Sequence, residues 1–189
     1  MEEGVITPEN SFIAWNGEIY PFEAWNADQT LQSAMNSSVN WYFQTVDEQL
    51  GASDVYSYIQ EIGYGNENMS GDFSTYWMES SLEISPIEQV ELLAKLQNNS
   101  FGFAPENIST VKDAICLSSS DAGTFYGKTG TGRVNGQYVN GWFIGYIETA
   151  DNTYFFATNI SADSDATGGN ATEITMSILS DMNIWVSQK

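Results

Sequence analysis

The chain of 189 residues suits one domain with a sizeable core, spanning residues 1–189. Its 25 acidic and 5 basic residues give a net charge of −20, which argues against nucleic acid or an anionic membrane surface as a partner. The absence of histidine excludes a Ser-His-Asp triad and most transition-metal sites, so no metal or cofactor is expected. No apolar run is long enough to span a membrane, so we expect no direct membrane insertion of this segment.

The first third of the chain predicts an irregular aromatic segment followed by helices. Residues 4–28 are rich in aromatic and turn-forming residues, and we expect them to be packed without regular structure. Residues 30–50 carry apolar side chains at helical spacing, with Ser38 on the inward stripe. Either one helix or two fits this pattern. Residues 54–62 predict another short helix.

Two further helices are predicted before the C-terminal third. Ser85, Pro86 and Glu88 form a strong helix start, because serine caps, proline suits the first helical position and glutamate stands three residues after the cap. This helix should run to about Leu96. Residues 111–117 predict one more short helix.

The C-terminal third predicts an antiparallel sheet. Asn135-Gly136 is the strongest two-residue hairpin signal in the chain. The middle strand is apolar on both faces, so helices should cover both sides of the sheet, which makes the fold class α+β. The predicted strands are residues 124–134, 137–149 and 153–160, followed by a helix over residues 171–182 that opens at Asn170.

The most informative motif is Lys128-Thr129-Gly130-Thr131-Gly132, on the first of these strands. A cation beside hydroxyls and glycines suits a small anionic ligand, whose carboxylate Thr129 and Thr131 could bind. By strand alternation Lys128 points to the opposite face. Lys-Thr-Gly is also one of three signatures of penicillin-interacting acyl-transfer proteins, with Ser-x-x-Lys and Ser-x-Asn.

The second of those signatures is present as Ser38-Val39-Asn40, about ninety residues earlier. Acyl transfer needs a nucleophile, a base, an oxyanion hole and a grip on the substrate. We expect Ser38 and Lys128 to act together as catalytic residues, with Ser38 relaying a proton to a leaving nitrogen. Asn40 would orient both the ligand and the lysine.

The motifs together resemble those of the extracellular penicillin-sensing domain of BlaR/MecR-type receptors, which are related to class D β-lactamases. The resemblance implies a serine β-lactamase/transpeptidase-like fold and covalent acylation by β-lactams. It also implies that Trp77 lies near the ligand pocket, although a core position would suit this residue equally well. The matching segments are residues 20–26, 38–43, 64–66, 81–90, 126–132 and 140–146.

Two features of the family pattern have no counterpart in this chain. By the family's spacing, the Ser-x-x-Lys nucleophile and the early strands would lie upstream of Met1, so the chain corresponds to the C-terminal major part of the domain. One Ser-x-x-Lys string, Ser109 to Lys112, follows Ser38 rather than preceding it and is not expected to be the nucleophile. The arginine that grips the substrate in class D enzymes is absent near residues 159–165.

Three functions remain compatible with the sequence. The first is the β-lactam-binding domain of an antibiotic-sensing signal transducer, at the extracellular face of the membrane and joined to the remainder of its receptor chain. The second is part of a secreted class D β-lactamase, and the third is a non-catalytic fragment. Asn40 favours the sensor, because the resemblance implies an aliphatic residue there in the hydrolases.

We predict that this 189-residue chain forms no stable adduct with a labelled penicillin, because it carries no nucleophile in the expected place. Intact-protein mass spectrometry after incubation with the label checks this expectation. An adduct mapped to a chain residue such as Ser109 would contradict it.

Overall fold

The computed structural model describes residues 1–185, which form an α+β fold around one four-stranded antiparallel sheet. A short 3₁₀ helix covers Glu23–Trp25. The helices are α1 (Leu31–Ser37), α2 (Asn40–Leu50), α3 (Ala52–Ile62), α4 (Pro86–Gln97), α5 (Pro105–Ala114) and α6 (Gly168–Asp181). The strands are β1 (Cys116–Ser120), β2 (Gly123–Val134), β3 (Gln137–Glu148) and β4 (Thr153–Ser161).

The predicted hairpin and strand order are confirmed. The sheet order is β1-β2-β3-β4, and each neighbouring pair is antiparallel. Asn135 and Gly136 join β2 to β3 with φ values of 49° and 83°, the positive values that a tight two-residue hairpin requires. Gly132 pairs with Asn140, and the register shifts after Gly132, so the strand is irregular where it leaves the motif.

Helices cover both faces of the sheet, as the apolar pattern of β3 predicts. Phe143 and Ile147 on β3 pack into one core with Ala171 and Leu179 of α6. Glu148 points to the opposite face, because side chains alternate along a strand. There it accepts a hydrogen bond of 3.0 Å from Gln97, the last residue of α4.

The helical periodicity of residues 30–50 belongs to two helices, one of the two arrangements that the pattern allowed. Ser38 ends α1 in the left-handed conformation with φ of 51°, and Val39 precedes α2. Ser38 is therefore not on a helical stripe, which corrects that part of the prediction. At the break, the Val39 backbone donates to the Ala34 carbonyl at 2.9 Å and its side chain is fully buried in the core.

Two other helix predictions need correction. The helix predicted over residues 111–117 ends at Ala114, and Cys116–Ser120 is strand β1, paired antiparallel with β2. A short segment with apolar side chains is compatible with either a helix or a strand. Here the pairing with β2 makes residues 116–120 a strand. The C-terminal helix begins at Gly168 rather than 171, because Thr167 is its cap and accepts a hydrogen bond from the Asn170 backbone.

The start of α4 is confirmed in detail. The hydroxyl of Ser85 accepts a hydrogen bond from the Glu88 backbone, and the Glu88 carboxylate accepts one from the Ser85 backbone. This reciprocal capping satisfies two backbone donors that a helix start otherwise leaves unpaired. Among residues 1–185, no helix combines the length and the apolar character needed to cross a membrane.

The irregular N-terminal segment is held on α1 and α2 by aromatic side chains, as its composition predicts. The indole of Trp25 donates to the Ser37 carbonyl at 2.9 Å, and the indole of Trp41 donates to the Trp25 carbonyl at 2.9 Å. Tyr42 is fully buried and donates to the Ser11 carbonyl at 2.7 Å. These bonds pair buried polar groups and fix the helix junction that contains Ser38.

We predict that Gly145→Ala destabilises the fold by roughly 1–3 kcal/mol, because a methyl group there would overlap the Tyr126 carbonyl oxygen of the neighbouring strand. Urea unfolding followed by tryptophan fluorescence measures the change. Gly130→Ala is the matched control on the same sheet, since its added carbon would lie 3.6 Å from the Trp142 side chain. Equal unfolding midpoints for the two variants would contradict the prediction.

Candidate active site

The Ser-x-Asn motif forms the junction between α1 and α2. Ser38 adopts its left-handed conformation as the C-cap of α1, and the Val39 backbone donates to the Ala34 carbonyl at 2.9 Å. Asn40 is the first residue of α2. The buried Val39 anchors the junction, so the Ser38 side chain is presented at a fixed place beside the sheet.

Lys128 connects this junction to the sheet. Its Nζ donates to Ser38 Oγ at 2.5 Å and to the Thr129 carbonyl at 2.8 Å, which confirms the predicted contact between Ser38 and Lys128. The side chain is half-buried, and burial lowers the pKa of Lys128 because it penalises the charged form. The lysine is thus held within hydrogen-bonding range of a hydroxyl that can pass on a proton.

The strand that carries Lys128 has an open edge next to it. The Gly127 N–H donates to the Ile115 carbonyl on the side of β1, and the β1 pairing reaches only to Tyr126. Backbone groups of alternate residues point the same way along a strand, so those of Thr129 and Thr131 also face this side. Within the described residues no strand covers them, and they can bond a carbonyl or amide of a ligand.

The side chains of Thr129 and Thr131 lie on the opposite face from Lys128, as alternation predicts. The Gly168 N–H, at the start of α6, donates to Thr131 Oγ1 at 2.9 Å, and Gly168 also lies against Thr129. Both threonines and Gly130 are exposed. The positive end of α6 therefore stands beside two hydroxyls at the strand edge, an arrangement that favours an anion.

The other two predicted ligand-binding residues lie on a different wall. The Asn40 amide nitrogen is 3.0 Å from the Met78 sulfur, and Trp77 packs edge-to-face on Tyr76 with ring centroids 4.9 Å apart. In the described part of the chain, neither side chain is hydrogen-bonded to Ser38 or Lys128. Asn40 and Trp77 are joined through the loop that carries Met78, and their ligand-binding roles stay predictions.

That loop, residues 66–84, is closed at its base by one turn. The side chain of Asn66 donates to the Ser81 carbonyl, and its backbone donates to the Glu83 carbonyl, both at 2.9 Å. Gly65 has a φ of 52° and lies directly against the Glu83 carbonyl, where a side chain would collide. The turn fixes the position from which the loop reaches the sheet.

Glu79 is a residue near the motif that sequence reasoning missed. It has a left-handed backbone with φ of 44°, and its carboxylate lies against Gly132 at the end of the motif. Its Oε1 accepts a hydrogen bond of 2.9 Å from Asn140, whose own oxygen accepts one of 2.6 Å from Asn159. No local pattern signals this contact, because Asn140 lies 61 residues away in sequence.

The Ser-x-x-Lys string of this chain, Ser109 to Lys112, is not part of this site. Ser109 is exposed on α5, and Lys112 forms a 2.8 Å salt bridge with Glu148. The Lys112 amine also lies 5.3 Å from the centroid of the Tyr126 ring. Its charge is therefore already compensated, as expected for a structural lysine. Across residues 1–185 no cluster of acidic or cysteine side chains could hold a metal ion.

We predict that Lys128 titrates below the ordinary lysine value of 10.5 in the folded protein, because burial disfavours its charged form. The Ser38→Ala variant should lower this pKa further, since it removes an acceptor that favours the ammonium form. NMR titration of ¹³C-labelled lysine measures both values.

The lowered pKa of Lys128 makes the stability of the protein depend on pH in a definite direction. Between the folded and unfolded pKa values of Lys128 the unfolded state binds more protons, so the free energy of unfolding rises with pH across this window. Lys128→Met should remove that contribution. A Lys128 signal that titrates at the same pH in the folded protein and in concentrated urea would contradict the prediction.

Comparisons with known proteins agree with this geometry. The family model of the penicillin binding protein transpeptidase domain matches residues 1–180. The regulatory protein BlaR1 of Bacillus licheniformis is 48% identical over 187 residues, which are 99% of this chain and 31% of that protein. The methicillin resistance MecR1 protein of Staphylococcus aureus is 45% identical over 184 residues, with 97% and 31% coverage. The chain thus spans just under a third of these relatives.

Two solved structures have the same fold. The C-terminal domain of the Bacillus licheniformis BlaR penicillin-receptor matches with a TM-score of 0.93 and 48% identity, over 98% of this chain and 75% of that chain. The class D β-lactamase BAT-2 matches with a TM-score of 0.90 and 35% identity, over 98% and 76%. The fold, the Ser38–Lys128 contact and these matches agree: the chain belongs to the penicillin-binding transpeptidase-domain family, in the branch that holds BlaR1, MecR1 and the class D β-lactamases.

Proposed function

We propose that the chain is the β-lactam-binding part of an antibiotic-sensing signal transducer. In this proposal the ligand acylates a serine of a Ser-x-x-Lys motif outside these 189 residues, and the chain supplies the rest of the cleft. The observation that carries the proposal is the Lys128–Ser38 hydrogen bond of 2.5 Å beside the open edge of β2. Ninety residues separate the two groups, so the fold brings them together for a shared task.

The shared task is proton delivery during acylation. As the serine oxygen forms an ester bond with the lactam carbonyl carbon, the lactam C–N bond breaks and the nitrogen needs a proton. Ser38 accepts a hydrogen bond from Lys128, so its own hydroxyl hydrogen is free to point at that nitrogen. Ser38 donates its proton to the nitrogen and takes one from Lys128, whose lowered pKa favours this transfer.

The ligand carboxylate would be bound without an arginine. Thr129 and Thr131 present hydroxyl groups beside the N-terminus of α6, whose partial positive charge favours an anion. The backbone groups of the same threonines line the open edge, where they can align the amide of the ligand. Lys128 adds a full positive charge, which matters in a chain of net charge −20.

A sensor must stay acylated, and Asn40 favours this outcome. Its side chain lies at the start of α2, two residues after Ser38, with its polar amide against Met78. In class D hydrolases, deacylation depends on a carbamylated lysine in an apolar pocket, and a polar amide would compete for that lysine. The similarity to BAT-2 keeps the second candidate, a class D hydrolase, open to test.

The proposal also assigns partners and a location. The ligand is a small β-lactam, and the remaining partner is the rest of the same receptor chain. The domain would face the outside of the cell, where the antibiotic arrives. The similarity to BlaR1 and MecR1 supports this assignment.

The test uses the longest protein that the gene encodes, incubated with benzylpenicillin and followed by intact-protein mass spectrometry. A sensor gains the mass of one penicillin and keeps it for hours. Steady release of penicilloic acid with no lasting adduct would support the hydrolase instead. If the protein gives neither an adduct nor a product, both functions are overturned.

We predict that Lys128→Ala in that protein slows acylation by at least about tenfold, because it removes the cation that supports the proton relay. Stopped-flow or quenched mass spectrometry gives the acylation rate. Lys95→Ala is the matched control, since Lys95 is exposed on the last turn of α4. Unchanged acylation in Lys128→Ala would leave the assigned role of the lysine without support.

A further inference from the structure

The cleft has a negative end as well as a positive one. Alternation along β2 puts positions 128, 130 and 132 on the same face of the strand. On this face Lys128 is hydrogen-bonded to Ser38, and Gly132 is in contact with the Glu79 carboxylate. Gly132 lies four residue steps along β2 from Lys128, which is roughly 13 Å. A cation and a carboxylate therefore lie on one face of β2, at opposite ends of the Lys128–Gly132 motif.

Glu79 is held in this place by the sheet itself. Its Oε1 accepts from Asn140, which pairs with Gly132 across the hairpin, and Asn159 on β4 supports Asn140 in turn. The second carboxylate oxygen has no hydrogen-bond partner among the described residues, and the side chain is exposed. Asn140 fixes one oxygen and leaves the other available to a ligand.

The two ends orient an anionic ligand. Its carboxylate is attracted to Lys128 and to the positive end of α6 where Gly168 lies against Thr129, and it is repelled by Glu79. A ligand that lies along the open edge in this orientation brings its opposite end towards Gly132. The substituent that reaches Glu79 is then the one farthest from the ligand carboxylate.

We propose that Glu79 is a specificity-determining residue that selects β-lactams by the charge of their acylamino side chain. It favours side chains with an amino group or another hydrogen-bond donor and disfavours anionic ones. The effect is local, because at physiological salt a charge is screened beyond about 8 Å. This inference rests on the proposed function, since it concerns the ligand of the same cleft.

The test compares three penicillins that differ at one carbon: benzylpenicillin, its α-amino derivative and its α-carboxy derivative. The second-order acylation rate is measured for each in the longest protein that the gene encodes. The wild type should acylate faster with the α-amino than with the α-carboxy compound. Glu79→Gln should reduce the ratio of these two rates by about fivefold or more, the size expected for one charge in a partly exposed site.

Glu79→Gln changes the charge without removing the hydrogen bond, because the glutamine oxygen can still accept from Asn140. Glu83→Gln is the matched control, since Glu83 is exposed on the same loop and its carboxylate forms no hydrogen bond among the described residues. It should keep the wild-type ratio. A second measurement is the salt dependence of the rate ratio. Raising the NaCl concentration from about 50 to about 500 mM should screen the Glu79 charge and bring the wild-type ratio towards that of Glu79→Gln.

The outcomes separate this inference from the function on which it rests. If benzylpenicillin acylates the protein and the rate ratio is the same in wild type and Glu79→Gln, the inference is overturned and the proposed function stands. If benzylpenicillin gives neither adduct nor product, both are overturned. A reduced ratio in Glu79→Gln with an unchanged ratio in Glu83→Gln supports the assignment.

Discussion

The site depends on one half-buried amine, that of Lys128. Lys128 is one of only five basic residues in the chain, and burial disfavours its charged form. Its amine is nevertheless held between the Ser38 hydroxyl and the Thr129 carbonyl. These two acceptors come from different halves of the fold, one from a helix junction and one from a strand. Any change that separates the helices from the sheet would remove the Ser38 acceptor and leave the half-buried amine with only the Thr129 carbonyl among its two described partners, which is costly.

Each half is fixed by its own contacts, the helix junction by polar bonds from aromatic side chains and the sheet by apolar packing. Trp25 and Trp41 donate their indole N–H groups to backbone carbonyls around α1 and α2, and the fully buried Val39 locks the junction. On the other side of the sheet, Phe143 and Ile147 pack on α6. The position of Ser38 is therefore a consequence of core packing rather than of its own contacts.

The loop of residues 66–84 is also fixed in position beside the site. The Asn66 turn closes its base, and Glu79 reaches the sheet through Asn140, so the loop is tied at both points. A segment with little regular structure is in this way placed beside the ligand-binding edge. Functional residues often lie on such loops, because a rigid scaffold can position them without constraining their chemistry.

The sequence alone determined the parts with local signals. Asn135-Gly136 dictated the hairpin, Ser85 and Glu88 dictated the start of α4, and the strand period put Lys128 opposite its threonines. Tertiary structure decided the rest: where the 30–50 helix breaks, that residues 116–120 pair with β2, and that Glu79 reaches Gly132. The reason is range, because caps and turns act over a few residues, whereas these outcomes depend on partners far away in the chain.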